Sequence, residues 1–270
     1  MKNLFTIFRR RAPKISVCLP VYNTKPEHLQ KCIESILGQT FRDFELLILN
    51  DSPDNRELDK IVRSYKDPRI VYRKSKKNLD IYGARNYLLD MSRGEYIAVH
   101  DHDDISMPER FEKQVAFLDA NPNYGAVSSF WYANDNREYY YYFPEGNVDI
   151  KKGLMEDCAF QHTACMMRKS VLDRHALRYE AAYCRAEDYY LFMRLAEVTL
   201  LHTMPEVLVS RNFHDTNISI LHQQRTDALR GEISFQMKNR FPFTALESQL
   251  TVLQNKIDEL SQKVDALGGK

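Results

Sequence analysis

No apolar run in the 270-residue chain approaches the roughly 18–20 residues that cross a bilayer, so no membrane-spanning helix is expected. The five cysteines (Cys18, Cys32, Cys158, Cys165 and Cys184) form no CxxC pair and no regular spacing, which argues against a disulfide framework. They read as reduced core residues of a cytoplasmic protein. Net charge is nearly absent too: the formal value is +1, so nothing draws the chain in bulk to nucleic acid. Glycine is missing from "VYNTKPEH" (Val21–His28), which argues against a glycine- and lysine-rich phosphate loop at that point. What is present is ordinary for a soluble globular protein, 44% hydrophobic and 28% charged, enough to bury a core.

The N-terminus, "MKNLFTIFRRRAPK", has an apolar stretch too short for a secretory signal, with its basic cluster after the apolar residues rather than before them. Two readings stand for residues 1–14: a frayed tail, or a short basic amphipathic foot on an anionic membrane surface.

From residue 14 onward, strand and helix signals alternate. "ISVCLPV" (Ile15–Val21) and "FELLILN" (Phe44–Asn50) are apolar strands, and "RIVYRKS" and "GEYIAVH" read as two more. Between them "PEHLQKCIESILGQ", "NRELDKIVRSY" and "YGARNYLLDMS" carry helical stripes, and "PERFEKQVAFLDA" starts a helix with Pro108 in its first turn. This βαβαβαβ order predicts an α/β fold with a mainly parallel, Rossmann-like sheet flanked by helices on both faces. Ligands of such sheets bind beyond the carboxyl ends of the strands. That rule gathers "VYN", "NDSPDN" and "DHDD" on one rim. Further on, "YGAVSSFWY" and "REYYYYF" predict two strands joined by "ANDN", with Tyr139–Tyr142 alternating so that two pack and two face outward. "HTACMMR" is a short strand, "AEDYYLFMRLAE" a helix with acids in its first turn, "VLVSRNFHDTNIS" a strand and loop, and residues 221–238 a helix.

The densest chemistry lies in "YIAVHDHDDISMP", where an apolar strand ends at His100 in Asp101, His102, Asp103 and Asp104. Helix capping accounts for one aspartate. A strand-terminal acidic cluster on this type of sheet is better explained by a hard divalent cation, because Mg²⁺ needs only one or two carboxylates when substrate phosphates supply its other ligands.

"ISVCLPVYN", "SILGQTFRDFELLILNDSPDN", "GARN", "GEYIAVHDHDDISMPERFEKQ" and "AEDYYLFMRL" occur in one order, each at a predicted element boundary. Together they resemble a family 2 glycosyltransferase over roughly residues 14–220. The resemblance implies the GT-A fold, a nucleotide-sugar donor, a divalent metal (Mn²⁺ or Mg²⁺) and a single-displacement inverting reaction. It implies that Val21 and Tyr22 line the base pocket and that Asp51 hydrogen-bonds the base. Asn50 stands where the family often has a second aspartate. Asp101 would face the ribose or donor sugar, and Asp103 would bind the metal. Asp104 would orient the loop or cap the next helix, and His102 would line the site from the motif's variable position. Asp188 would be the catalytic base, with Glu187 orienting the acceptor side. The downstream pair His214 and Ser219 fits the family's His-x-x-x-x-Ser segment, giving His214 a place at the metal or the leaving diphosphate, or else in a solvent-facing loop. Two readings stand for Arg85, on the nucleotide or its phosphates, or on a helix surface. Trp131 and the tyrosine run stack on acceptor sugars or belong to a core or interface. His162 lines the acceptor side or is structural.

The C-terminal residues Phe243, Leu246, Leu250, Leu253, Ile257, Leu260, Val264 and Leu267 form a heptad seam, with leucine at every d position. It predicts a coiled coil and a homo-oligomer, most simply a parallel dimer, through residues 243–267. The expected organisation is therefore a tail (1–13), a catalytic domain (14–220), a helical extension (221–242) and a coiled coil (243–270). The expected partners are a nucleotide-sugar donor and a glycan or lipid-linked glycan acceptor, and the expected location is the cytoplasm, either free or, through residues 1–14, peripheral on the inner face of the cytoplasmic membrane. Two other functions fit the fold class: a sugar nucleotidylyltransferase, which the glycine-free loop disfavours, and a catalytically inactive scaffold.

Overall fold

The computed structural model describes residues 11–134, 136–213 and 223–240. The chain tail before residue 11, His214 and Ser219, and the heptad segment 243–270 lie outside the described residues.

The first half follows the predicted alternation. Strands β1 (Ile15–Val21), β2 (Phe44–Asn50), β3 (Ile70–Lys74) and β4 (Tyr96–Val99) alternate with helices α1 (Pro26–Leu37), α2 (Arg56–Ser64) and α3 (Asp80–Met91). All four strands run parallel, in the order β3-β2-β1-β4. β2 shows why a continuous apolar run suits a central strand. Leu46 and Ile48 face one core with α1 and α2, while Leu47 and Leu49 face the other with α3. Local signals start two of the helices: Pro26 occupies the first turn of α1, and the Asn55 side chain accepts hydrogen bonds from the amides of Glu57 and Leu58 to cap α2. Gly94 lets β4 enter beside β1, since a Cβ there would lie 2.5 Å from the Ser16 nitrogen.

Beyond β4 the sheet becomes mixed. It continues through β8 (Met166–Arg168), β6 (Tyr124–Ala133), β9 (Leu200–Arg211) and the two-residue β5 (Ile105–Ser106). β8 is antiparallel to both β4 and β6, whereas β6 and β9 are parallel to each other. β1, β2, β4, β6 and β9 therefore all end on one rim. Helix α4 (Arg110–Ala120) joins α1 and α2 on one face. The opposite face is covered by α3, α5 (Asn147–Leu154), α6 (Lys169–Arg174), α7 (Glu187–Val198) and α8 (Gln223–Arg240), the last docked through the fully buried Ile233 and Met237.

Two expectations need correction. The helix after the acidic loop starts at Arg110 rather than in a turn containing Pro108, because residues 105–106 pair with β9 first and the Pro108 carbonyl accepts the Thr40 amide at 2.9 Å. The tyrosines do not divide into packed and exposed pairs: all four are between 51% and 78% exposed. Among the described residues, strand β7 (Asn136–Tyr141) pairs with β6 alone, and all six of its residues are exposed. Lys14, which leads from the basic N-terminal segment into β1, is ion-paired on the surface. Its ammonium bonds Glu95 at 2.7 Å and Asp119 at 2.8 Å.

Candidate active site

The rim of the sheet carries a cleft of about 250 Å³ between the ends of β1 and β2 and the start of α3. Val21, Tyr22, Asp51 and His102 line it, as the sequence suggested, together with Asn78, Asp80 and Arg185, which it did not. Tyr22 is 43% exposed and Val21 is buried. Asp51 is buried, and both its carboxylate oxygens accept the Leu79 amide at 3.0 Å, which ties the end of β2 to the start of α3. Burial raises the Asp51 pKa, and the Leu79 amide and Ser75 hydroxyl pull it back. Asn50 cannot serve as a second base-binding carboxylate. Its side chain is used locally, accepting the Ser52 amide at 3.0 Å and donating to the Tyr72 hydroxyl at 3.2 Å.

Arg85 corrects one earlier reading: it does not lie on a helix surface. It is buried, and its guanidinium donates to Glu187 Oε1 at 2.6 Å and to Asp101 Oδ1 at 3.2 Å. One arginine thus couples the start of α7 to the acidic loop. Burial opposes its charge, but Glu187 and Asp101 outweigh burial and raise its pKa above the ordinary value. Burial likewise pushes the Glu187 carboxyl up while Arg85 pulls it back, and a contact this short to a guanidinium is that of an ion pair. The other Glu187 oxygen accepts the Arg185 amide at 2.7 Å. Asp188, next in sequence, is half-buried, and its Oδ1 accepts the Tyr189 amide at 2.8 Å.

The acidic loop separates into members of different character. Burial works to raise the Asp101 pKa, but Arg85, with help from His162 and Arg211, holds it well below the usual carboxylate range. Asp104 moves the other way: burial first and the neighbouring Asp103 second push it up to about 8. Asp104 caps no helix. Its carboxylate accepts the Asn212 amide at 3.0 Å, which fastens the loop to the end of β9. His102 Nδ1 is buried without a hydrogen-bond partner, 4.0 Å from Asp103 Oδ1. His100 is the first residue past β4, buried and depressed to about 3 by burial and by Arg110. Its Nδ1 lies 2.8 Å from the Asp101 carbonyl, which can only accept, so Nδ1 carries the proton and Nε2 accepts from the Ser106 hydroxyl at 2.9 Å.

Beneath the loop lies Arg110, fully buried, whose role sequence reasoning missed. It donates to the carbonyls of Val99 at 3.0 Å and Cys165 at 3.2 Å, and to the Ser106 hydroxyl at 3.0 Å. A signal for it existed: Arg110 shares the inward face of α4 with Phe111, Gln114 and Leu118. Of the two readings of Trp131, the structure matches the core one. The residue is 5% exposed and stacks on Tyr141 with a 4.0 Å centroid separation.

The family profile of glycosyl transferase family 2 matches residues 16–176, more than half of the chain. The chain belongs to glycosyl transferase family 2. An uncharacterized family relative, a glycosyltransferase of Methanocaldococcus jannaschii, is 33% identical over 67% of this chain and 64% of its own length. The amylovoran biosynthesis glycosyltransferase AmsE of Erwinia amylovora is 28% identical over 72% of this chain and 74% of its own. Among solved structures, residues 1–349 of S. aureus TarS in complex with UDP-GlcNAc superpose with a TM-score of 0.62 at 16% identity, covering 76% of this chain and 60% of that one. The Pyrobaculum calidifontis mannosyltransferase PcManGT, in complex with GDP-Man and Mn²⁺, gives 0.58 at 14% identity, covering 90% and 81%. The fold is thus of the GT-A type. No helix among the described residues of this family 2 member is long and apolar enough to cross a membrane.

His162 takes its structural reading within the family site. It is buried, its Nε2 lies 2.9 Å from the Tyr179 hydroxyl, and burial together with Arg85 depresses it to about 4. A folded-state pKa below the ordinary 6.5 means that the fold holds the neutral ring. Its stabilisation is complete above pH 6.5 and is lost as pH falls towards 4, with a slope of up to about 1.4 kcal/mol per pH unit. The stability advantage of wild type over His162→Gln should therefore shrink between pH 7.5 and 5 in urea titrations. A difference that stays constant across that range overturns the assignment.

Proposed function

We propose that the chain transfers a sugar from a nucleotide diphosphate donor to a hydroxyl of a glycan or lipid-linked glycan, inverting the anomeric centre, with Asp188 as general base. The single observation that carries this reading is the buried bridge from Glu187 through Arg85 to Asp101, which fixes Asp188 in relation to the acidic loop beside the cleft. The UDP-GlcNAc and GDP-Man complexes of TarS and PcManGT support a nucleotide-sugar donor, and the role of AmsE in amylovoran biosynthesis supports a glycan acceptor.

Asp188 accepts the proton of the attacking hydroxyl while the acceptor oxygen bonds the anomeric carbon from the face opposite the diphosphate. The bond from that carbon to the diphosphate oxygen breaks, and its electron pair leaves with the nucleoside diphosphate. A carboxylate suffices as the base because the proton departs as the sugar carbon becomes cationic, so free alkoxide never forms. Val21 and Tyr22 bind the base and Asp51 orients it, while Asp101 faces the ribose or sugar.

The residues fit a divalent cation of the Mn²⁺ or Mg²⁺ type. Among the described residues no three His, Cys, Asp or Glu side chains converge to cage a metal. Asp103 supplies a hard oxygen donor beside an unpartnered His102 nitrogen, which suits a cation that shares its coordination with substrate phosphates. Asp103 and His102 would hold such a cation, and the chemistry it would supply when bound is neutralisation of negative charge on the diphosphate.

A panel of nucleotide sugars tested with Mn²⁺ and with chelator decides the matter. The correct donor should be hydrolysed or transferred, and at about 100 times Kd it should stabilise the protein by about 2.7 kcal/mol. Asp103→Ala should lose most of the metal-dependent part of that gain while still folding. A folded protein that neither binds nor turns over any donor in the panel would sink the proposal.

A further inference from the structure

The geometry points to Arg185 as the residue that grips the donor diphosphate, in exchange for its ion pair with Asp80. This inference rests on the donor reading above.

Arg185 and Asp80 line the same cleft from opposite sides, one just ahead of α7 and the other at the start of α3. Their side chains meet, Arg185 Nη1 to Asp80 Oδ1, at 3.2 Å. Both residues have positive φ, 93° and 58°, although neither is glycine. Side chains other than those of Asn and Asp rarely tolerate that region, and it persists where the surroundings over-determine it, as at active sites, ligand clamps and switch regions. The determinants here are visible. The Arg185 amide donates to Glu187 at 2.7 Å and the Ala186 amide to the Tyr183 carbonyl at 2.8 Å. The Asp80 amide donates to Asn78 Oδ1 at 2.7 Å. The Glu187 that holds the main chain of Arg185 is the one bound by Arg85, so the same bridge that orients Asp188 also aims Arg185 into the cleft.

Charge decides what that aim serves. Among the described residues lining the cleft, Asp51 and Asp80 are acidic and Arg185 is the one lysine or arginine. Asp51 accepts the Leu79 amide, whereas Asp80, the partner of Arg185, is half in solvent, with 43% of its side chain exposed. A diphosphate outcompetes one half-solvated carboxylate for a guanidinium, because it offers more charge and a bidentate set of oxygens. Asp80 can then return to water at little cost.

The test compares UDP and GDP with uridine and guanosine, in Mn²⁺, by calorimetry on the full chain. Arg185→Gln should weaken diphosphate binding about tenfold or more while leaving nucleoside affinity within about twofold. Asp80→Asn, which frees the guanidinium, should tighten diphosphate binding or leave it unchanged. If the pair is merely structural, both variants will lower the melting temperature and neither will change the ratio of diphosphate to nucleoside affinity, which overturns the inference. Wild type that binds UDP or GDP as Arg185→Gln does refutes Arg185 alone. Wild type that binds neither refutes the donor reading and this inference together.

Discussion

Asp188→Asn is expected to reduce sugar transfer by about 10²- to 10⁴-fold, the usual contribution of a general base, while the donor Kd stays within about twofold. The substitution isolates the proton acceptor. The amide keeps an oxygen for the Tyr189 amide, now bonded at 2.8 Å, so the start of α7 loses only the attraction between a carboxylate and the helix N-terminus, about 0.3–1 kcal/mol. Against that, it removes a negative charge beside the buried Glu187, whose carboxyl Asp188 helps to push up. The variant should therefore stay within about 1 kcal/mol of wild type, and loss of turnover cannot be assigned to unfolding. Initial rates with the best donor, beside calorimetric titration of the same donor, read both quantities. A variant that retains more than about a tenth of wild-type turnover excludes Asp188 as the base. A variant with unchanged kcat and raised KM would place it in substrate binding instead.

How far the sequence led depended on the range of the interaction. Local and periodic features were legible: Leu46 to Leu49 predicted a strand buried on both faces, and Asn55 and Pro26 marked helix starts. The strand-end rule then gathered Tyr22, Asp51 and the acidic loop on one rim, where the cleft lies. What stayed hidden was mostly pairwise and distant. Nothing near Arg85 announces Glu187, 102 positions away, and a buried arginine looks like a surface one until its carboxylates are known. The Arg185–Asp80 pair was hidden for the same reason, and positive φ at a non-glycine residue leaves no mark in composition. The three residues of β8 were recognisable as a strand, but three residues carry no signal of direction, so the switch from parallel to mixed sheet could not be read. The tyrosine run misled because strand alternation implies packing only where a layer lies on one face, and all of β7 is exposed.

The second large effect belongs to Arg85, and it separates stability from catalysis. Arg85→Met should destabilise the fold by about 3–5 kcal/mol, because it leaves a buried charge uncompensated. The cost falls unequally on its two partners. The Glu187 side chain is 5% exposed and cannot reach water, whereas that of Asp101 is 31% exposed and can. Adding Glu187→Gln to Arg85→Met should therefore recover much of the lost stability, since it removes the stranded charge, whereas adding Asp101→Asn should recover little. Urea titrations of these three variants, together with Glu187→Gln and Asp101→Asn alone, close the two cycles and give the coupling energies. Transfer should behave differently. In the stabilised double variant nothing ties Asp188 to the acidic loop, and Arg185 loses the ionised partner of its amide, so turnover should stay depressed even though the protein folds. Recovery of activity along with stability would reduce Arg85 to a packing residue. Recovery of stability alone would establish that its ion pairs position the two halves of the site.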